Sequence, residues 1–270
     1  MSSSNSNTFV AKPDGIHTGY HETPAGKFPS FSTIWFETSN QDALRAWKAE
    51  NPGVAEEAAW RGTRTHNWAE DYLLSGANSS DRTMPELGED NADIKGFCYS
   101  LMSELFRMGQ VVWAEESISD GKPDGKHRCV WHPELKYSGR PDIIAYNESG
   151  LCLYDIKTCN FPYYAQLPME PNYKQKLADK EITWMDIPRE IRAGMLKYKK
   201  VRSQLLAYAV ACEVSLGIKV DSVCALISLP DQCCQSFTIK RDSKEWGWAW
   251  KHWLEKLDKY YSSQRKIDQL

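Results

Sequence analysis

The sequence predicts a mixed α/β protein: a mixed β-sheet with helices on its faces. Three observations lead there. Long stretches before and after the middle of the chain carry apolar residues at helical spacing. The middle holds short runs rich in β-branched and aromatic residues, bounded by Gly, Pro, Asn and Ser. In chain order the elements read helices, strand, strand, hairpin, helix, two strands, helix, a pattern that layers helices on a mixed sheet.

Composition sets the frame. The chain has 270 residues, 41% hydrophobic and 26% charged, which suits one soluble globular domain with decorations. No apolar run approaches the roughly 20 residues that span a bilayer. The first twenty residues hold one Lys, no Arg and no apolar core, so neither a secretory signal nor an Arg-rich transit peptide is expected, and a cytoplasmic location follows. Eight cysteines are present, and Cys98, Cys152, Cys212 and Cys224 fall inside predicted helices or strands, so free thiols in a reducing compartment are expected.

Taken in order, residues 1–27 are rich in Ser, Asn and Gly and read as a flexible tail, and 28–270 as the folded domain. Ser39–Glu50 reads as a helix stopped by Asn51-Pro52-Gly53, and Val54–Leu74 as a second, interrupted or restarted near Gly62. His66 and Glu70 share a face of that helix; such a pair is either a surface contact or part of a ligand set. Ile94, Phe97, Cys98, Leu101, Leu105 and Met108 form the buried stripe of a helix over 94–108. Val111–Ile118 and Arg128–His132 read as strands, with His132 structural. By alternation Glu116 shares a face with Ala114 and points toward the acidic spot described below. Phe161–Trp184 is aromatic, contains Pro and has weak periodicity, the mark of a long functional loop. Pro188 opens a helix to about Val214, with Tyr198, Val201, Leu205, Tyr208 and Cys212 on one face and Gln204 one turn before Tyr208. Strands follow at Val220–Leu229 and Gln235–Lys240, then a helix over Lys244–Tyr261 with a core stripe of Trp246, Trp250, Trp253, Leu254, Leu257 and Tyr260.

The stretch Tyr137–Thr158 carries the chemistry. Two strand-like runs, Asp142–Tyr146 and Leu151–Lys157, flank Asn147-Glu148-Ser149-Gly150 and read as an antiparallel hairpin. With that tetrad as a four-residue loop, Tyr146 pairs with Leu151 and, counting outward, Asp142 faces Asp155. Opposed residues on one face have Cβ atoms roughly 4.5–5.5 Å apart, and like charges there are destabilising. Alternation puts Asp155 and Lys157 on one face and Ile156 on the other. Two readings are open from these residues. A divalent cation such as Mg²⁺ or Mn²⁺ sits between the carboxylates, with Lys157 beside it for phosphate recognition or activation of water. Alternatively, the hairpin is a surface element with Lys157 in a salt bridge. The dipeptide itself is weak, since Pro-Asp recurs at 13–14, 123–124 and 230–231. Charge adds a second clue. Between Asn160 and Arg202 nine Lys/Arg face five acids, a local balance of +4 in a chain of net −3. This basic segment at about 160–200 either holds a phosphate backbone near the acidic hairpin or is a solvated face.

Four pieces in one order resemble the RecB-like branch of the PD-(D/E)xK nuclease superfamily: Gly62…His66 on a helix, Gly139-Arg140-Pro141-Asp142, Asp155-Ile156-Lys157-Thr158, and Gln204-x-x-x-Tyr208 on the next helix. Within that branch the likeness is to the mitochondrial genome-maintenance exonuclease group and its phage relatives. It extends to Phe28-Pro29-Ser30-Phe31-Ser32-Thr33, to the run HPELKYSG before Pro141-Asp142, and to the Trp-rich last helix.

The resemblance implies a restriction-endonuclease-like core and a metal-dependent DNA exonuclease that hydrolyses phosphodiester bonds. The implied substrate is single-stranded DNA with a free end, in replication, recombination or repair. A double-strand-resecting exonuclease or flap endonuclease on the same core is the alternative, and a vestigial DNA-binding module is the alternative of another class. It implies His66, Asp142, Asp155 and the Ile156 carbonyl as ligands of Mg²⁺ or Mn²⁺, with Glu116 as an outer ligand. Lys157 would handle the attacking water, and Gln204 and Tyr208 would position Lys157 and the strand. Arg140, Thr158, Lys197, Lys199 and Lys200 are expected to contact DNA. The stretch between Thr158 and Gln204 is longer than in that group. Cys233 and Cys234 are adjacent and no cysteine precedes Cys98, so an iron–sulfur cluster is not expected.

Overall fold

In a computed structural model the described residues are 19–77, 79–114, 129–169 and 171–267. Glu116, the end of the strand read at 111–118 and the start of the one read at 128 lie outside them, as do residues 1–18.

The chain is a mixed α/β fold around one five-stranded sheet. Its strands are β3 (Val111–Ala114), β6 (Ile143–Asn147), β7 (Gly150–Thr158), β8 (Ser222–Ser228) and β9 (Gln235–Lys240), side by side in that order. β7 is central. It pairs antiparallel with β6 and parallel with β8, whereas β8–β9 and β3–β6 are antiparallel. The sheet is mixed because a helix of 28 residues, α6 (Arg189–Leu216), carries the chain back between β7 and β8. A parallel neighbour requires a crossover of that kind.

The β6–β7 hairpin has the predicted register, Tyr146 opposite Leu151. Its turn is tighter than the predicted loop. Asn147 pairs with Gly150, leaving Glu148-Ser149 as a two-residue turn. The Asn147 side chain accepts from the Ser149 amide at 2.7 Å, and Gly150 takes φ +114°, which its missing Cβ permits.

Side chains alternate along β7 and divide the interior in two. Leu151 and Leu153 point into a core shared with α6 and the last helix, α7 (Lys244–Ile267). Cys152, Tyr154 and Ile156 point the other way, onto α3 (Val54–Leu74) and α4 (Lys95–Phe106). α3 is one unbroken helix, so the interruption expected near Gly62 is absent; a residue of weak propensity is carried by tertiary packing. Before it lies α2 (Gln41–Glu50), and the chain turns between the two helices at Gly53, with φ +82°. The predicted stripe of α4 holds, with Ile94, Phe97, Cys98, Leu101, Leu105 and Met108 all buried; in α7 Trp253, Leu257 and Tyr260 are buried, and Trp246, Trp250 and Leu254 are partly buried against the same core.

Two small sheets sit beside the main one. β1 (Tyr20–Thr23) pairs with β2 (Gly26–Pro29), and β4 (Val130–His132) with β5 (Tyr137–Gly139). The first replaces the end of the expected flexible tail with ordered strand. His132 is structural, its Nδ1 accepting from the Leu135 amide at 3.2 Å. Helix α1 (Phe31–Glu37) starts at Ser30, whose hydroxyl accepts from the Thr33 amide. The expected long loop after Thr158 contains α5 (Tyr173–Ala178), none of whose residues is buried. Among the described residues no helix is long and apolar enough to cross a membrane.

Candidate active site

The site forms where β7 outruns its neighbour. β6 begins at Ile143, opposite Tyr154, so the last four residues of β7 have no β6 partner, while β8 still pairs with them as far as Thr158. On the open side, side chains take up the exposed backbone groups. Asp142 is the residue just before β6, and its Oδ2 accepts from the Ile156 amide at 2.7 Å. Pro141 is pinned in turn, its carbonyl accepting from Trp113 Nε1 at 3.1 Å. From α3, His66 Nε2 lies 2.9 Å from the Ile156 carbonyl. A carbonyl oxygen only accepts, which places a proton on Nε2. His66 Nδ1 is 3.7 Å from Asp142 Oδ2. His66, Asp142 and Ile156 therefore meet at one point; the hairpin count places Asp142 opposite Asp155, whereas its carboxylate is taken up by the Ile156 amide next to it.

Asp155 and Lys157 share the face toward α6. The Asp155 carboxylate is wholly buried, and its Oδ2 makes an ion pair with Lys157 Nζ at 2.5 Å. Neither Asp155 oxygen has a hydrogen bond, so the Lys157 ion pair is what compensates the carboxylate among the described residues. An anionic oxygen in that position is costly unless something else compensates it. Across from it on α6, Gln204 Nε2 donates to Tyr208 Oη at 3.1 Å, both residues being buried. Burial, and next the Asp155 charge, push the Tyr208 phenol well above its ordinary pKa, with Asp142 adding to the effect, so Tyr208 stays an O–H donor.

Gly139 explains how Tyr208 fits. A Cβ on Gly139 would overlap Tyr208 Cε1, so the ring rests directly on the backbone before Arg140-Pro141-Asp142. Only glycine allows that approach. In the sequence the glycine is legible as part of a motif but not as the seat of a ring so far along the chain.

The basic residues divide between two sides of α6. Lys197 Nζ donates to Cys159 Sγ at 3.2 Å and lies over the Phe161 ring at 4.2 Å. Lys200, one helical turn on, keeps an exposed surface, yet packed atoms and then the Lys157 charge lower its pKa to about 8; Lys197 adds to the lowering and Asp155 opposes it. Lys199 is on the other side, among the cations beside His252 and Lys256 of α7. Thr158 ends β7 against Gly62 of α3, its Oγ1 3.7 Å from where a Gly62 Cβ would lie. Arg140 lies close to His21 and Cys129. Burial lowers the pKa of His21 and raises that of Cys129, and the Arg140 charge pulls both downward. Cys159 and Phe161, which hold Lys197, were not singled out by the sequence, because nothing in local spacing ties them to a residue on α6.

As placed, no three His, Cys, Asp or Glu side chains among the described residues are gathered to hold a metal ion. His66 and Asp142 are instead engaged with the carbonyl and amide of Ile156. The donor set is oxygen-rich with one imidazole, the chemistry that suits Mg²⁺ or Mn²⁺, and both oxygens of the buried Asp155 carboxylate lack a hydrogen bond. Compared with family models and with curated proteins, the chain matches none.

Proposed function

We propose that the chain is a divalent-metal-dependent deoxyribonuclease, an exonuclease acting on single-stranded DNA with a free end during replication, recombination or repair in the cytoplasm. One observation carries this reading: the fully buried Asp155 carboxylate, ion-paired with Lys157 but with neither oxygen hydrogen-bonded, lies at the open end of the central strand beside the Asp142–Ile156–His66 contact.

In this reading Asp142, Asp155, the Ile156 carbonyl and His66 would hold Mg²⁺ or Mn²⁺, exchanging the contacts that His66 and Asp142 make with Ile156. Such an ion supplies Lewis acidity, neutralising phosphate charge and making water a better nucleophile at neutral pH. Lys157 is held in place by Asp155. Its ammonium orients the attacking water and meets the negative charge that builds on the phosphate oxygens. Gln204 and the protonated Tyr208 fix the scissile strand and Lys157 from the α6 side. Water forms the new P–O bond and gives up a proton to solvent, the bond from phosphorus to the sugar oxygen breaks, and that oxygen takes a proton from solvent.

The test is incubation with end-labelled linear single strands, linear duplexes and circular single strands in Mg²⁺ or Mn²⁺. Loss of label from linear single strands, with circles intact, is the expected result. Cutting of circles would make the enzyme an endonuclease, and no cutting of any substrate would overturn the reading. Asp155→Asn and Lys157→Ala are expected to abolish cleavage while DNA binding survives; cleavage at the wild-type rate in Mn²⁺ by either would show that the site lies elsewhere.

A further inference from the structure

We infer that Lys197 and Lys200 form a phosphate subsite beside Lys157, which holds the DNA backbone one step from the scissile bond. The inference rests on the nuclease reading above and adds where the strand runs: along the 197–200–204 face of α6, away from the side that carries Lys199.

The geometry is that of ammonium groups converging on one side of α6. Lys197 Nζ reaches Cys159 just past the end of β7, Lys200 is one turn further along α6, and Lys157 and Lys197 both act on Lys200 electrostatically. Asp155 compensates Lys157 through their ion pair. Lys197 is fixed by Cys159 Sγ and by the faces of Phe161 and Tyr163, groups that orient an ammonium without cancelling its charge. Lys200 Nζ has no hydrogen-bond or ion-pair partner among the described residues. Two positive charges are thus held against a third with no counter-ion of their own, an arrangement that costs free energy until an anion enters. The Lys200 pKa is lowered first by burial and then by the Lys157 charge, with Asp155 opposing and Lys197 adding to it.

Position selects the anion. Lys200, Gln204 and Tyr208 are successive turns of one helix, so Lys200 stands about 6 Å along α6 from Gln204. That is close to one nucleotide step, which suits the phosphate flanking the one at Lys157. Lys197 extends the line toward Phe161, which is half-buried. Lys199 projects elsewhere, to His252 and Lys256, where Lys256 Nζ already donates to Thr38 O at 3.1 Å.

The experiment measures binding of a fluorescent single-stranded oligonucleotide to the full chain bearing Asp155→Asn, over a range of salt. Adding Lys197→Met and Lys200→Met together should weaken binding about tenfold at roughly 0.1 M salt and reduce the salt slope by about 1.4, at roughly 0.7 for each phosphate no longer neutralised on a single strand. Adding Lys199→Met alone should leave the slope in place. In the wild-type background, Lys200→Met should raise KM more than it lowers kcat, and Lys200→Arg should restore KM. An unchanged slope in the double variant, or an equal reduction with Lys199→Met, overturns the inference while leaving the nuclease reading intact. Absence of both oligonucleotide binding and wild-type cleavage would remove both. Circular dichroism of each variant separates a binding defect from unfolding.

Discussion

At the scale of single residues, the site depends on close approaches that leave no room for substitution. Tyr208 sits on the backbone of Gly139, and the missing Cβ is what permits it. Gly139→Ala should displace the ring and cost about 1–3 kcal/mol, the usual penalty of overpacking. Cleavage should fall at least tenfold, since the Gln204–Tyr208 hydrogen bond depends on the ring's position. Urea denaturation and single-turnover cleavage check the two halves. Combining Gly139→Ala with Tyr208→Ala should cost less stability than the sum of the two single substitutions, because the obstructing ring is gone, but should not restore activity. A stable, fully active Gly139→Ala protein would show that Tyr208 has no positioning role. Of the candidate residues, the shared face of Asp155 and Lys157 follows from alternation, while hairpin counting brings Asp142 to the end of β7 but not to the Ile156 amide its carboxylate binds. His66 was not legible, because an imidazole reaching the Ile156 carbonyl 90 residues away leaves no mark in local spacing.

At the scale of elements, glycines on two helices make opposite predictions. Gly62 interrupts the propensity of α3 but not the helix, and a Cβ there would meet only Thr158 Oγ1 at an ordinary 3.7 Å. Gly62→Ala should therefore stabilise the protein by about 0.5–1 kcal/mol. Gly194 of α6 differs, since a Cβ there would lie 2.5 Å from the Pro162 carbonyl oxygen. Gly194→Ala should destabilise and push the 161–164 segment off Lys197, weakening DNA binding as well. Urea midpoints for the two variants should move in opposite directions; movement of both the same way would contradict this account of α3 and α6. The element pattern was readable where a buried stripe or alternation exists, as in α4, α7 and the central hairpin. α5 escaped because it buries nothing and so has no apolar period to detect. α1 escaped although Ser30 and Thr33 stand at capping distance, a short-range signal that seven helical residues do not reinforce with a second apolar turn.

At the scale of the whole molecule, the sheet order and the parallel β7–β8 pairing were not written in local sequence; they follow from how the crossover helix packs, which is a property of the assembled core. The same assembly creates a pH dependence. His252 is wedged between α6 and α7, where burial and then Lys199, Lys256 and Arg202 lower its pKa to about 4, against the opposing pull of Glu255. His21 and His132 are lowered too, again chiefly by burial. A histidine whose folded pKa lies below its unfolded value binds fewer protons when folded, so its contribution to stability is present above about pH 6.5 and is lost as pH falls toward 4. The urea midpoint should decline over that window, and His252→Asn should flatten the decline. A decline of the same steepness in His252→Asn would assign the acid limb to other groups.

The central claim is that the end of β7 captures a divalent cation next to an amine, and titration calorimetry with Mn²⁺ tests it without relying on any substrate. The wild-type chain should bind one ion, and Asp155→Asn and Asp142→Asn, each still folded, should lose that binding. No heat of binding in the wild type, or the same affinity in both variants, would contradict the account.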